Sequence, residues 1–318
     1  MLQRLFVKDG RLRPVFRVLA YILAAVAAQA VLAIFVAIGY RIAYGPDAAF
    51  MRTPVWLDEL ISAIAVVGVA ILLRIYLDRR SVASLGITFR TRWLWLFALG
   101  AAIGAGMQLL IFAFGLLLGA NHVLALSMTW SVLRNLAAWC AIFVIAALAE
   151  EMPLRGYILQ NLWEEFGFWP AAIVTSVMFA LLHFKNPYFG DLPWATTINI
   201  AVDGIWACCA ILWTRSLWLA WGGHFAWNVF EGPVLGTPVS GIHTGPGIVM
   251  QYVSGPPLLT GGKFGPEAGL LVPVVEIAGI AALYGMYRLG WFAQLPDARE
   301  AYARAPDSPH AVSATNLT

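Results

Sequence analysis

Charge is scarce in this chain. Only 12% of the 318 residues are Asp, Glu, Lys or Arg, whereas 61% are hydrophobic. Soluble domains are about a quarter charged, so this chain has too few charges to cover the surface of a soluble helical bundle. Apolar runs of about 18 residues or more recur instead, and this length spans roughly 30 Å of hydrocarbon. The composition therefore predicts an integral membrane protein.

Cysteines are also few, and no internal repeat is evident. Cys140, Cys208 and Cys209 lie in apolar segments without metal-ligand spacing, which favours reduced core residues over a disulfide framework or a lipidation site. The net charge of +3 does not indicate a nucleic-acid partner, because the basic residues cluster beside the apolar runs. The expected partners are the lipid bilayer and a membrane-associated protein or peptide.

The apolar runs predict an all-α, polytopic membrane protein with about eight transmembrane helices. The predicted spans are residues 18–40, 55–77, 93–119, 132–163, 169–184, 194–213, 217–231 and 267–290. The first run is longer than the hydrophobic region of a cleaved signal peptide, so it is interpreted as a retained anchor.

A single transmembrane domain is expected over residues 18–292. It would follow a basic N-terminal segment, residues 1–17, and precede a polar tail, residues 293–318, whose composition predicts disorder. The Gly- and Pro-rich segment 232–266 is predicted to be an external, partly re-entrant loop.

Lys and Arg residues predict the orientation in the membrane. They accumulate before the first span, after the second and sixth spans, and after the last one: Arg4, Lys8, Arg11, Arg13, Arg17, Arg74, Arg79, Arg80, Arg90, Arg92, Arg215, Arg288, Arg299 and Arg304. By the positive-inside rule both termini face the cytoplasm, which agrees with an even number of spans. The expected location is the bacterial plasma membrane.

Two adjacent acids follow an apolar stretch directly at Glu150 and Glu151. Arg155 lies four residues beyond Glu151, so the two side chains share a helical face and can form an ion pair. Glu150 points about 100° away without that partner, which suits a general base. A structural ion pair at the membrane edge would explain Glu151 and Arg155 but not Glu150.

Two histidines lie in other predicted spans. His183 follows Phe179 by four residues, and its depth from the turn at residues 164–169 matches that of Glu150, at about 21 Å. His224 and Asn228 share a helical face, and Gly222 and Gly223 allow another helix to approach closely. Ionisable groups inside spans are costly and are usually functional, although a satisfied core histidine or polar contacts between helices remain alternatives.

Weaker polar candidates are Asn199, Asp203 and Glu231, which would lie around the site or pair between helices. The loop residues Lys263 and Glu267 are interpreted as a solvated rim.

Together the three motifs resemble the CPBP family of intramembrane metalloproteases, which includes the type 2 CAAX prenyl protease and bacteriocin-immunity-associated proteins. Glu150, Glu151 and Arg155 match its first motif, Phe179 and His183 its second, and His224 and Asn228 its third. The order and spacing also match, and the resemblance covers about residues 80–231.

The resemblance implies an intramembrane endopeptidase, with a site that opens towards the cytoplasm. Glu150 and His183 would activate the attacking water, and His224 and Asn228 would stabilise the oxyanion or bind a metal. Glu151, Arg155 and Phe179 would support these residues. The substrate would be a membrane-associated protein or peptide, CAAX-like or lipidated proteins included.

A divalent metal, zinc in the first place, is the cofactor that the resemblance implies. His183 and His224 are its candidate ligands, and the third ligand is not identified by the sequence. A metal-free mechanism with Glu150 as the base remains an alternative. So do two other functions, an ion or solute transporter and a catalytically silent immunity or scaffold protein of the same fold.

Overall fold

The structure is a computed structural model that describes residues 6–8, 10–45, 53–89 and 92–293. The helices are α1 Pro14–Tyr44, α2 Val55–Tyr76, α3 Trp93–Leu117, α4 Trp130–Glu151, α5 Leu159–Phe166, α6 Phe168–Leu182, α7 Pro193–Thr214, α8 Leu217–Val229, α9 Pro257–Thr260 and α10 Leu271–Arg288. Two π-helical segments, Met152–Ile158 and Phe230–Val234, extend α4 and α8.

Short strands and 3₁₀ turns complete the described chain. The strands are β1 Val7–Lys8, β2 Arg11–Leu12, β3 Asn121–Leu126 and β4 Val249–Val253, paired β1 with β2 and β3 with β4, both antiparallel. The 3₁₀ turns are Val82–Leu85, His183–Lys185, Phe189–Asp191 and Pro266–Ala268. Apart from residue 293, the predicted tail lies outside the described residues.

Seven helical runs in the described part of the chain are long and apolar enough to cross a membrane. They are Pro14–Tyr44, Val55–Tyr76, Trp93–Leu117, Trp130–Phe166, Phe168–Lys185, Pro193–Thr214 and Leu271–Arg288. This confirms the predicted all-α polytopic membrane fold. The first helix begins at Pro14, inside the predicted N-terminal segment, because proline fits the first turn of a helix.

The eighth predicted span, residues 217–231, is shorter than a full span. It forms the 13-residue α8, which the π-helical segment continues to Val234. Most side chains of α8 are buried, and the helix packs against α3, α4 and α7. Because protein surrounds α8, it does not need the length of a helix that faces lipid.

One end of the bundle is rich in arginine, and we call it the basic end. It comprises Arg13, Arg17, Arg74, Arg79, Arg80, Arg92, Arg215 and Arg288. There Arg74 Nη1 lies 2.9 Å from Asp78 Oδ2, and Asp78 also accepts hydrogen bonds from Tyr157 and Asn161. These contacts join the end of α2 to the end of the α4–α5 run, while Arg17 Nη1 lies 3.6 Å from Glu164 Oε2.

The opposite end, called the far end, is where α2, α4, α7 and α10 begin and α1, α3 and α6 end. Strands β3 and β4 pair there, and Asn135 donates hydrogen bonds to the carbonyl groups of Thr244 and Pro246. The segment predicted as an external loop therefore folds back against the helices. The β3–β4 pairing was not predicted, because its two partners lie far apart in sequence.

Glycines bring α3 and α8 into close contact. A Cβ atom at Gly104 of α3 would collide with the carbonyl oxygen of Gly223, and one at Gly222 with the carbonyl oxygen of Phe97. Gly100 meets the backbone of Leu219 in the same way. The close approach predicted for Gly222 and Gly223 is confirmed, and it fixes the helix that positions His224 and Asn228.

Candidate active site

A cavity that reaches the far end is lined by residues from all three motifs. Its volume is about 180 Å³, many times the ~10–15 Å³ that a single water needs. Its wall is formed by α2, α4, α6, α7, α8 and α10 together with the folded-back loop. Among the predicted residues it includes Glu150, Phe179, His183, Asn199, Asp203, His224 and Asn228. The three segments therefore meet in one space.

Glu151 is the fixed member of the first motif. Arg155 Nη1 lies 3.2 Å from Glu151 Oε1, and both side chains are fully buried. The predicted pairing across one helical turn is thus present. Arg155 also stacks over the ring of Phe179, with its guanidinium carbon 4.4 Å from the ring centroid. The ion pair consequently joins the first motif to α6.

His224 is oriented by the same carboxylate. Its Nδ1 lies 3.0 Å from Glu151 Oε1. An ionised carboxylate only accepts hydrogen bonds, so Nδ1 donates and the other ring nitrogen, Nε2, faces the cavity. Nε2 lies 3.6 Å from Glu150 Oε2.

Glu150 projects into the cavity, as its position one residue before Glu151 requires. Its side chain is 35% exposed, whereas that of Glu151 is 1% exposed. The Oε2 atom of Glu150 is buried and has no hydrogen-bond partner among the described residues. The separation of 3.6 Å from His224 exceeds a direct hydrogen bond, so this oxygen is available to a water or a substrate group.

His183 lies at the point where α6 changes to a 3₁₀ turn. Its Nδ1 lies 2.9 Å from the carbonyl oxygen of Phe179. A carbonyl can only accept, so Nδ1 carries the hydrogen, and Nε2 of the neutral ring is a proton acceptor. The Phe179 ring also packs edge-on against both His183 and His224, at centroid distances of 4.8 and 5.9 Å.

Pro153 explains the irregular helix immediately after the two acids. Proline lacks the N–H that would bond to the carbonyl of residue 149, and here the backbone widens into the π-helical segment Met152–Ile158. The third motif has the same arrangement, because Pro233 lies in the π-helical segment after α8. Both irregular segments lie next to the cavity.

The weaker candidates occupy different places. Asp203 lies in the cavity wall, and Asn199 there donates hydrogen bonds to the carbonyl oxygens of Glu267 and Gly269, which ties α7 to the segment before α10. Glu231 is fully buried and accepts a hydrogen bond of 3.1 Å from Gln108 of α3. It does not belong to the cavity wall.

Glu267 is not a solvated rim residue as the sequence suggested. It accepts hydrogen bonds from Trp227 Nε1 at 3.2 Å and from the backbone and hydroxyl of Ser240 at 2.8 and 2.5 Å. It lines the cavity because the loop folds inward. Lys263 is exposed, with its ammonium 5.4 Å from the ring centroid of Tyr188.

Two further acids in the cavity wall were missed. Glu59 lies in the first turns of α2, and Glu276 lies near the start of α10. Glu276 is fully buried, and neither of its carboxylate oxygens accepts a hydrogen bond from a donor in the described chain. An acid inside an apolar run was the available signal in both cases, since such residues are costly in a span.

The donor set does not fit a catalytic zinc with three protein ligands. Within the described residues, no group of three or more His, Cys, Asp or Glu side chains is arranged to hold a metal ion. His183 and His224 each use Nδ1 for a protein partner, which leaves one nitrogen each. The divalent metal stays a prediction, and no catalytic step is derived through it.

Family comparison agrees with the geometry of the three motifs. Residues 132–230 match the family described as type II CAAX prenyl endopeptidase, Rce1-like. The predicted resemblance is confirmed. The match begins near the start of α4 and ends beyond Asn228, so it contains all seven motif residues. No curated protein and no solved structure matches the chain significantly.

The Rce1-like match indicates a membrane-embedded protease. The helices before residue 132 and the folded-back loop with α10 lie outside the matched residues. Those parts nevertheless supply Glu59, Ser240, Glu267 and Glu276 to the cavity wall. The cavity wall therefore extends beyond the residues that the match covers.

Proposed function

We propose that the chain is an intramembrane endopeptidase that hydrolyses a peptide bond of a membrane-associated protein or peptide by an activated water. The observation that supports this is the Glu150 carboxylate: its Oε2 has no hydrogen-bond partner among the described residues, lies 3.6 Å from His224 Nε2, and shares a cavity with His183 and Asn228. The Rce1-like match over residues 132–230 supports the same reaction class. The bacterial plasma membrane is the proposed location.

Glu150 and His183 act on the water in this proposal. Both present a proton acceptor to the cavity, a carboxylate oxygen and the Nε2 of the ring whose Nδ1 binds the Phe179 carbonyl. Water attacks the scissile carbonyl carbon as Glu150 takes one of its protons. Glu150 then delivers this proton to the amide nitrogen, the C–N bond breaks, and an amine and a carboxylic acid result.

His224 and Asn228 act on the oxyanion. The Asn228 side-chain amide donates hydrogen bonds, and so does His224 Nε2 when the ring is protonated beside Glu151. Donors at a developing oxyanion contribute about 10²-fold or more in rate. Glu151, Arg155 and Phe179 are positioning residues, because their mutual contacts hold His224 and α6, and Glu151 and Arg155 lie outside the cavity wall.

Glu150→Gln tests the proposal most directly. The amide has nearly the same shape but cannot take a proton, so we expect a loss of activity of at least about 10²-fold with unchanged thermal stability. Asp191→Asn is the matched control, since Asp191 is exposed and lies outside the cavity wall. Wild-type and variant proteins in liposomes would be incubated with membrane proteins of cells lacking the gene, and new N-termini would be identified by mass spectrometry.

The same preparations separate the alternative functions. Proteolysis by Glu150→Gln at the wild-type rate would contradict the proposal, and ion flux that depends on Glu150 and His183 would favour a transporter. A folded wild-type protein that yields no new N-termini would favour the silent immunity or scaffold function. Metal analysis of the purified protein, before and after chelation, together with recovery of activity on metal addition, tests the divalent metal that the resemblance predicts.

A further inference from the structure

The side on which the cavity opens can be determined from the ends of the helices. Val55 and Glu59 lie at the start of α2, Leu182 and His183 at the end of α6, and Glu276 near the start of α10. Each of these helix ends belongs to the far end. Val55 and Leu182 are exposed, which places the mouth of the cavity at the surface there.

The basic end lies on the opposite side of the same helices. Arg74 lies at the end of α2, Arg215 directly follows α7, and Arg288 ends α10. Glu164, fourteen residues after Glu150, pairs with Arg17 and Arg80 at that end. The cavity wall contains none of these arginines, and its exposed residues Val55, Leu182 and Ile242 all lie at the far end.

The distribution of cations is strongly unequal. Among the described residues, the far end has Arg41, Arg134, Lys185 and Lys263, and all other described Lys and Arg side chains outside the core of the fold lie towards the basic end. Lys and Arg near span ends are retained on the cytoplasmic side, whereas Asp and Glu contribute little to orientation. The basic end is consequently the cytoplasmic one.

Two expectations from the sequence thus exclude each other. The positive-inside rule places the basic end in the cytoplasm, and the resemblance implies a cavity that opens towards the cytoplasm. The cavity opens at the other end. We propose that the site receives its substrate from the extracytoplasmic side of the membrane, as a protein segment anchored in or against the outer leaflet. The substrate in this proposal rests on the proposed protease function. The side of the membrane on which the cavity opens does not depend on that function.

The charge of the cavity wall agrees with such a substrate. Its described residues include the carboxylates Glu59, Glu150, Asp203, Glu267 and Glu276 and no Lys or Arg. The free C-terminal carboxylate of a cytoplasmic CAAX protein would meet like charge there, and no described Lys or Arg of the wall would bind it. An internal or cation-bearing segment fits better, and the exposed apolar Val55, Leu182 and Ile242 suit a segment that leaves the bilayer.

Cysteine accessibility tests the orientation without a known substrate. Ile242→Cys places a thiol at the mouth of the cavity, and Ser81→Cys places one at an exposed position on the basic end. The parent protein would have Cys140 replaced by alanine, while Cys208 and Cys209 are fully buried. Intact cells and permeabilised cells would be treated with a membrane-impermeant maleimide.

We expect Ile242→Cys to be labelled in intact cells and Ser81→Cys only after permeabilisation. The reverse pattern, or labelling of Ile242→Cys only after permeabilisation, overturns the proposal. Ser254→Cys, exposed beside β4 at the far end, gives a second reading should Ile242→Cys fail to fold. Failure of the protease function would leave the labelling pattern intact, and a reversed pattern would leave cleavage in detergent intact, so the two failures are distinguishable.

Discussion

Two neighbouring glutamates have opposite environments. Glu151 is fully buried and contacts both Arg155 and His224, whereas Glu150 reaches the cavity with an oxygen that accepts no hydrogen bond from the described part of the chain. Successive residues on a helix point about 100° apart, so one acid faces the protein and the other faces the cavity. The pair can therefore divide two tasks, positioning and proton transfer, that one carboxylate could not perform together.

Glu151→Gln should reduce stability strongly. The substitution leaves the Arg155 guanidinium buried without a counter-charge, which costs about 3–5 kcal/mol when one partner of a buried pair is removed. We expect a lower unfolding temperature in detergent. Glu164→Gln is the matched control, because Glu164 pairs with Arg80 while 35% exposed and should change stability by no more than about 1 kcal/mol.

The double variant Glu151→Leu, Arg155→Met separates positioning from stability. Replacing both charges removes the unpaired group, so the unfolding temperature should recover relative to Glu151→Gln. Proteolysis should stay low, because His224 has lost the acceptor of its Nδ1 proton. Recovery of activity together with stability would mean that Glu151 has only a structural role.

The sequence was most informative where the partners are near in sequence. The pairing of Glu151 with Arg155 follows from their four-residue spacing, and the common depth of Glu150 and His183 follows from two helices joined by a short turn. Glu267 could not be placed in this way. Its partners Trp227 and Ser240 depend on how the loop folds back, which no local pattern specifies.

At the scale of elements, the first and third motifs adjoin π-helical segments. Pro153 and Pro233 each remove a backbone donor, and the wider turns lie beside Glu151 and after Asn228. Single π turns are frequent at functional sites because they shift the side chains that follow. Hydrophobic periodicity predicted one uninterrupted helix over residues 132–163, since a change in backbone hydrogen bonding leaves the apolar pattern almost unaltered.

The contact between α3 and α8 provides a test at this scale. Gly104→Ala would bring a methyl group against the carbonyl oxygen of Gly223, and overpacking of this kind costs about 1–3 kcal/mol. We expect a lower unfolding temperature and lower proteolysis, because α8 positions His224 and Asn228. Gly106→Ala, also on α3, is the control, since its Cβ would meet no atom within 4 Å.

The outcome for Gly106→Ala is an unchanged or slightly higher unfolding temperature, because alanine favours helix over glycine. Equal losses of stability from both substitutions would contradict the close helix contact.

The long spans themselves were predicted to within a few residues, because each is a continuous apolar run. Strands β3 and β4 were not, since a two-stranded pairing between distant segments leaves no periodic signal.

For the whole molecule, the number of crossings depends on α8. Only seven described runs have the length and hydropathy of a span, which by itself would put the two chain ends on opposite sides. The contacts indicate otherwise. Arg13 forms an ion pair with Glu165 beside the start of α6, and the ring of Phe292 lies 6.3 Å from that of Trp95 at the start of α3. Arg13 and Phe292 therefore both lie at the basic end, so the described chain between them crosses an even number of times, and α8 with its π-helical continuation accounts for the eighth crossing.

Labelling near the two chain ends tests this topology independently of which side is cytoplasmic. Val7→Cys and Trp291→Cys replace exposed residues beside α1 and after α10. In sealed vesicles of one orientation, an impermeant maleimide should label both thiols or neither, because an even number of crossings returns the chain to its starting side. Labelling of one thiol but not the other would mean that α8 does not cross. The site would then be enclosed by seven spans, and His224 would approach Glu150 from a re-entrant helix.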